Sequence, residues 1–174
     1  MKRYAILVCA AILAGACGDD DGPTSPSGPP NTIVFTAALS AANENPPVTN
    51  ADTNGRGTGT FTLNLTRDSS SVITDATGTF VYSLTGFPAG SQIILTHIHE
   101  GGPTINGSVV VNTGLSAATA LTLANGTLTN QTFSNRTVGA ALAQRIIDNP
   151  NGFYFNVHSV LNPGGAVRAQ LVRQ

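Results

Sequence analysis

The chain of 174 residues contains three histidines, and all of them fall in two short stretches, Thr96-His97-Ile98-His99-Glu100 and Asn156-Val157-His158. Imidazole is the side chain that serves both as a neutral metal ligand and as a proton acceptor near physiological pH. In an extended strand alternate side chains share a face, so His97 and His99 project from one side, as do Asn156 and His158. If the two strands lie alongside one another, three ring nitrogens converge, a donor set that suits copper or zinc. Glu100, Asn156 and Arg168 are the candidate partners for ring nitrogens facing away from such a ligand. Two other readings of the cluster stay open at this level. The rings can be structural, hydrogen-bonded to backbone, Asn156 or Arg168, or they can line a site for a polar organic ligand.

Little else in the chain suggests chemistry. There is no Gly-x-Ser-x-Gly elbow, phosphate-binding glycine loop or zinc-protease motif, and no evident carboxylate pair for glycoside hydrolysis. A non-catalytic role is therefore expected. Between residues 32 and 174 the six acidic side chains are balanced by six arginines, and lysine is absent after Lys2. That balance leaves no basic patch, so no nucleic-acid partner is expected. Asn162-Pro163-Gly164-Gly165 reads as a tight strand connection, because proline fixes φ and glycine supplies φ > 0. Glu44 and Arg168 are lone charges in apolar-flanked stretches, for which a mutual salt bridge or a backbone clamp is the plain expectation.

The elements that must position the histidines are mostly strands. Residues 1–16 read as a signal peptide, with Lys2 and Arg3 before an apolar run too short to span a bilayer. That run ends in Leu13-Ala14-Gly15-Ala16-Cys17, which resembles a bacterial lipobox. Acylation of Cys17 would account for the one cysteine left after Cys9 is removed. Residues 17–31 then form a Gly-, Ser- and Pro-rich spacer. The expected setting is the bacterial cell envelope, periplasmic or cell-surface, with the N-terminal lipid as the only membrane contact. Residues 32–174 read as one all-β domain. Alternation marks strands around Ile33–Leu39, Thr58–Leu65, Phe80–Leu84, Ile93–His99, Ser108–Asn112, Gly152–His158 and Ala166–Val172. Leu121–Leu128, broken by Asn125-Gly126, reads as a hairpin. One helix is expected near 137–148, capped by Thr137, with Val138, Leu142 and Ile146 at a spacing of four. Short strands between turn signals predict an antiparallel, immunoglobulin-like β-sandwich with that single helix.

Three motifs carry a family resemblance. Phe35-Thr36-Ala37-Ala38-Leu39 followed by Ala42-Asn43-Glu44-Asn45-Pro46-Pro47-Val48 resembles the opening of a CHRD domain, the module named for chordin. The middle segment, from Thr96 through Asn112, resembles that family's His-x-His-x-Gly stretch. The closing segment, Tyr154 through Leu171, resembles its Asn-x-His, Asn-Pro-Gly-Gly and Arg-x-Gln run. Asn45 stands where an aliphatic residue is usual, and Ala169 where glycine is common. The resemblance implies an all-β immunoglobulin-like fold, an extracytoplasmic setting and no established catalytic role. An extracellular or periplasmic protein or polymer is the partner such a module would have. His-x-His-x-Glu also resembles, over a few residues, the copper-binding strand of copper-zinc superoxide dismutases, whose further ligands and disulfide have no counterpart here.

Overall fold

The computed structural model describes residues 28–174, so the expected signal peptide, Cys17 and the spacer up to residue 27 lie outside the described residues. Ten strands and one helix follow in order: β1 (Thr32–Ser40), β2 (Arg56–Arg67), β3 (Ile73–Thr85), β4 (Ser91–Glu100), β5 (Ser108–Asn112), β6 (Leu121–Leu123), β7 (Leu128–Thr137), α1 (Ala140–Asp148), β8 (Phe153–Ser159), β9 (Val167–Gln170) and β10 (Val172–Arg173). Every pairing among them is antiparallel. The all-β class read from the alternation is the class the chain adopts.

The hydrogen-bonded order is β5-β4-β8-β9-β1-β2-β3-β7, with β6 also on β4 and β10 also on β1. This is one continuous path folded over on itself, rather than two separate sheets. The seam is the last strand, which changes partner at Leu171. Gln170 pairs with Tyr154 of β8, whereas Val172 and Arg173 pair with Thr36 and Phe35 of β1. The two halves then meet face to face. Phe155 of β8 packs edge-on against Phe80 at 5.4 Å and Tyr82 at 5.8 Å, both on β3. Tyr82 and Thr96 of β4 join their hydroxyls across the same interior at 3.0 Å.

Alternation places the core with few exceptions. Ile33, Phe35, Ala37 and Leu39 of β1 are buried, as are Phe61, Leu63 and Leu65 of β2 and Phe80, Tyr82 and Leu84 of β3. Gly78, expected to bound a strand, instead lies inside β3, opposite Leu63. The ring of Phe61 occupies the space its side chain would fill, which is the usual reason for a glycine within a strand.

Three expectations fail locally. Leu121–Leu128 is not a hairpin: β6 pairs with β4 and β7 with β3, so the Asn125-Gly126 turn carries the chain from one half to the other. The turn itself is tight, with Gly126 at φ +71° and its N–H on the Leu123 carbonyl. β7 escapes the alternation rule altogether. Leu84, Tyr82, Phe80 and Gly78 of β3, two apart, face Leu128, Gln131, Phe133 and Arg136 of β7, spaced three, two and three. Asn130 and Asn135, both at positive φ, supply the extra residues as bulges. Finally, Thr137 ends β7 and does not cap the helix. Gly139, at φ +76°, makes the turn into α1, which buries Ala143 and Ile146 against the sheet.

Placing a methyl group at residue 78 tests this packing. Gly78→Ala should cost about 1–3 kcal/mol, because the buried Phe61 ring occupies that space and must shift to admit a methyl group. Urea unfolding of the variant would read the cost directly, and an unchanged midpoint would contradict the placement of Phe61.

Candidate functional site

The same alternation that sends Thr96 and Ile98 of β4 into the core turns His97 and His99 to the other face. On β8, Phe153, Phe155 and Val157 face the core, while Tyr154, Asn156 and His158 turn outward. Register then sets rows across the sheet. Leu95 lies opposite His158, His97 opposite Asn156 and His99 opposite Tyr154, and Asn156 lies opposite Arg168 of β9. This outer face is not solvent-exposed: His97, His99, Asn156, His158 and Arg168 are all buried. Two loops cover it, residues 101–107 after β4 and residues 160–166 after β8.

The three imidazoles sit together. Ring centroids are 5.1 Å apart for His97 and His158, 5.5 Å for His97 and His99, and 5.8 Å for His99 and His158. One potential ligand atom from each lies within 4.8 Å of the others, the one such group of three among the described residues. The hydrogen bonds fix two tautomers. A carbonyl only accepts, so Nδ1–H of His99 donates to Gly107 O at 2.9 Å and Nδ1–H of His158 to Pro163 O at 2.9 Å. The Nε2 atoms of both neutral rings are left as lone pairs. His158 Nε2 faces His97 Nδ1 at 3.3 Å, and His99 Nε2 is buried with no partner. Asn156 Oδ1, on the same face, is a further buried acceptor without a donor.

Burial keeps these rings neutral. It lowers His97 from 6.5 to about 4, with His158 and His99 adding to the effect. Burial likewise lowers His158 to about 4, against the opposing hydrogen bond to Pro163 and with a further push from His99. His99 is lowered too, chiefly by burial, with the Gly107 bond opposing and the positive charge of Arg168 assisting.

The remaining candidate partners divide. Arg168 does not touch the rings. Its guanidinium donates to Asn106 Oδ1 at 3.0 Å and to the carbonyls of Gly102, Pro103 and Ile105 at 3.1, 2.8 and 3.2 Å. It stacks over Tyr154 at 4.0 Å, and Tyr154 in turn lies parallel to His99 at 4.8 Å. Arg168 thus positions His99 through a layer of stacking and through the loop that carries Gly107. Glu100 is placed elsewhere. It shares the parity of Ile98, not that of the histidines, and meets Arg145 of α1 in an exposed ion pair at 2.6 Å.

Alternation puts Tyr154 on the face of Asn156 and His158 without giving its contacts, and a second contributor was not evident from spacing at all. Tyr154 also accepts the Gly107 N–H through its hydroxyl, at 3.1 Å. Asp52, buried in the long β1–β2 connection, accepts from Ser159 Oγ at 2.6 Å and Asn162 Nδ2 at 2.7 Å. These bonds hold the Asn162-Pro163-Gly164-Gly165 turn over His158, with Gly165 N–H closing it on Asn162 O. The turn read from the sequence is therefore also the support of a site residue.

The CHRD domain matches residues 35–171 of the chain. That span takes in the whole sheet from the middle of β1 to the seam, and the chain belongs to the CHRD domain family. No curated protein and no solved structure matches it.

In metal-free protein the lowered histidine values give a definite pH dependence. Unfolded rings titrate near 6.5 and folded ones nearer 4, so their contribution is complete above 6.5 and is lost as pH falls toward 4. Glu44 has the opposite sign, since burial raises its carboxyl to about 7 with Arg168 partly offsetting this. In a Glu44→Gln background with chelator, the guanidinium midpoint should fall steadily from pH 6.5 to 4. Adding His97→Asn and His158→Asn should flatten that slope.

Proposed function

We propose that this chain is a lipid-tethered, extracytoplasmic and non-catalytic binding module whose CHRD domain holds one copper or zinc ion through His97, His99 and His158. The observation that carries the reading is the set of unpaired acceptors. Buried lone pairs on His99 Nε2 and Asn156 Oδ1 have no donor, and His158 Nε2 has only the long approach of His97 Nδ1. Leaving such atoms unsatisfied costs about 1–3 kcal/mol each. A group of acceptors gathered in one place matches a cation.

The chemistry of the donors agrees. Metal–nitrogen bonds of about 2.0–2.1 Å at a tetrahedral centre set neighbouring nitrogens about 3.3 Å apart, the separation between His97 Nδ1 and His158 Nε2. Neutral rings bind metal without first losing a proton. Outer Nδ1–H bonds to Gly107 and Pro163 orient two of the ligands, as carbonyls do behind many metal-bound histidines. Three imidazoles suit both copper and zinc, and the intrinsic order of affinities favours copper(II). When bound, the ion supplies Lewis acidity or, for copper, a one-electron couple. The tether reading rests on the lipobox-like Leu13-Ala14-Gly15-Ala16-Cys17 and the spacer after it.

Two measurements test these halves separately. Protein purified from its native envelope should carry close to one equivalent of metal by elemental analysis. Single His→Asn changes at positions 97, 99 and 158 should each weaken copper and zinc binding by more than the ~10–100-fold expected for an outer-sphere partner. A wild-type protein that takes up neither ion would refute the metal reading. Independently, Cys17→Ser should move the protein from the membrane fraction to the soluble fraction without altering its unfolding temperature. Unchanged membrane retention would refute the anchor.

A further inference from the structure

Of the two arrangements expected for Glu44 and Arg168, a mutual salt bridge or a backbone clamp, Arg168 makes the clamp and the salt bridge does not form. The Glu44 side chain makes no hydrogen bond or ion pair, although only 7% of its surface is exposed and Oε1 is buried with no partner. Arg168 has already engaged Asn106 Oδ1 and three loop carbonyls. The Glu44 carboxylate instead lies against the turn after β8, where a Cβ at residue 165 would come within 2.5 Å of Oε2. Gly165 is thus required for the carboxylate to sit where it does.

Oε1 is shut away from solvent, but the residue as a whole borders open space. Two clefts of about 440 Å³ each share Glu44 as a wall, a size typical of small-molecule sites. One is bounded by Asn43, Thr104, Arg168 and Gln170. The other runs between Asn45, Thr49, Asn106 and the Gly164-Gly165 turn. Apart from Glu44 and Arg168, no residue on either wall is ionisable; Arg168 balances Glu44 in the first cleft and is not part of the second. The walls are amides, hydroxyls, prolines and glycines, with Ala42, Ala169, Val48 and Leu161 among them, around a single carboxyl group that lacks a partner.

We propose that Glu44 anchors a second binding site, separate from the histidines, which takes a neutral, hydroxyl-rich ligand of the carbohydrate class. A ligand hydroxyl gives the carboxyl the hydrogen-bond partner it lacks, charge-assisted while the group is ionised. An ammonium group would supply one too, but in the first cleft it would bring a positive charge beside Arg168 where Glu44 already balances it. An anionic ligand would meet Glu44 itself, and finds the Arg168 fork committed to carbonyls. The amide and hydroxyl walls fit the remaining hydroxyls of a sugar, and the site shares no ligand atom with the histidines. Its test therefore stands whether or not the domain binds metal.

The experiment is an amide-resolved NMR titration of the full chain in detergent micelles, with chelator present. The probes are neutral hexose oligosaccharides and, separately, cationic glucosamine oligomers. A neutral oligosaccharide should shift the amides of Asn45 and Gly165. Glu44→Gln should weaken that binding at least tenfold while unfolding at the same temperature as wild type or higher. Gly164→Val gives a second variant: a Cβ there meets nothing within 4 Å, so its side chain should obstruct the cleft and abolish binding without loss of fold. The proposal is overturned if no neutral oligosaccharide shifts those amides, if only the cationic oligomers bind, or if both variants bind like wild type.

Discussion

A guanidinium buried under two loops has no water to turn to, and Arg168 satisfies itself with protein oxygens that no helix or strand was using. Four of its hydrogen bonds end on the loop between β4 and β5. That loop would otherwise bring unpaired carbonyls over a buried face, which is a costly arrangement. The planar fork of arginine reaches several carbonyls at once where lysine would offer a point charge. Because Gly107 belongs to the same loop, the clamp also decides where the carbonyl partner of His99 sits. Tyr154, caught between Arg168 and His99, passes the constraint across the sheet by stacking.

The opposite side of the cluster rests on different physics. There the support is a carboxylate, Asp52, that gathers Ser159 and Asn162 and so stiffens the turn bearing Pro163. His158 is oriented by that turn just as His99 is by the arginine-held loop. One cation clamp and one anion clamp thus orient two of the three rings, the first through the Tyr154 stack as well as through backbone. Burial keeps those rings neutral, and they keep their lone pairs.

Much of this was legible in the sequence wherever period two held. The faces of β1, β2 and β3, the pairing of His97 with His99, and the sharing of a face by Asn156 and His158 all follow from alternation. Where bulges at Asn130 and Asn135 changed the parity, β7 became invisible, since its inward residues no longer recur at two. Glu100 was misplaced for a related reason: adjacency in sequence suggested a role that strand parity denies. The supports of the site were harder still, because they are carbonyls of Gly107 and Pro163 and a carboxylate from a distant loop. Backbone acceptors carry no residue-type signal, and Asp52 lies more than a hundred positions from Asn162.

The seam at Leu171 has a kinetic side. β10 lies beside β1, so the beginning and the end of the domain are neighbours in the sheet. Pairings that close so large a loop form slowly, after local hairpins such as β2–β3 have had time to appear. Arg168 lies on β9, which pairs with β8 across a short connection, so the guanidinium stands beside Asn156 before the distant β4 and β1 join them. Contact order thus puts the pairing of β4 with β8, which gathers the rings, after the hairpin that carries the clamp.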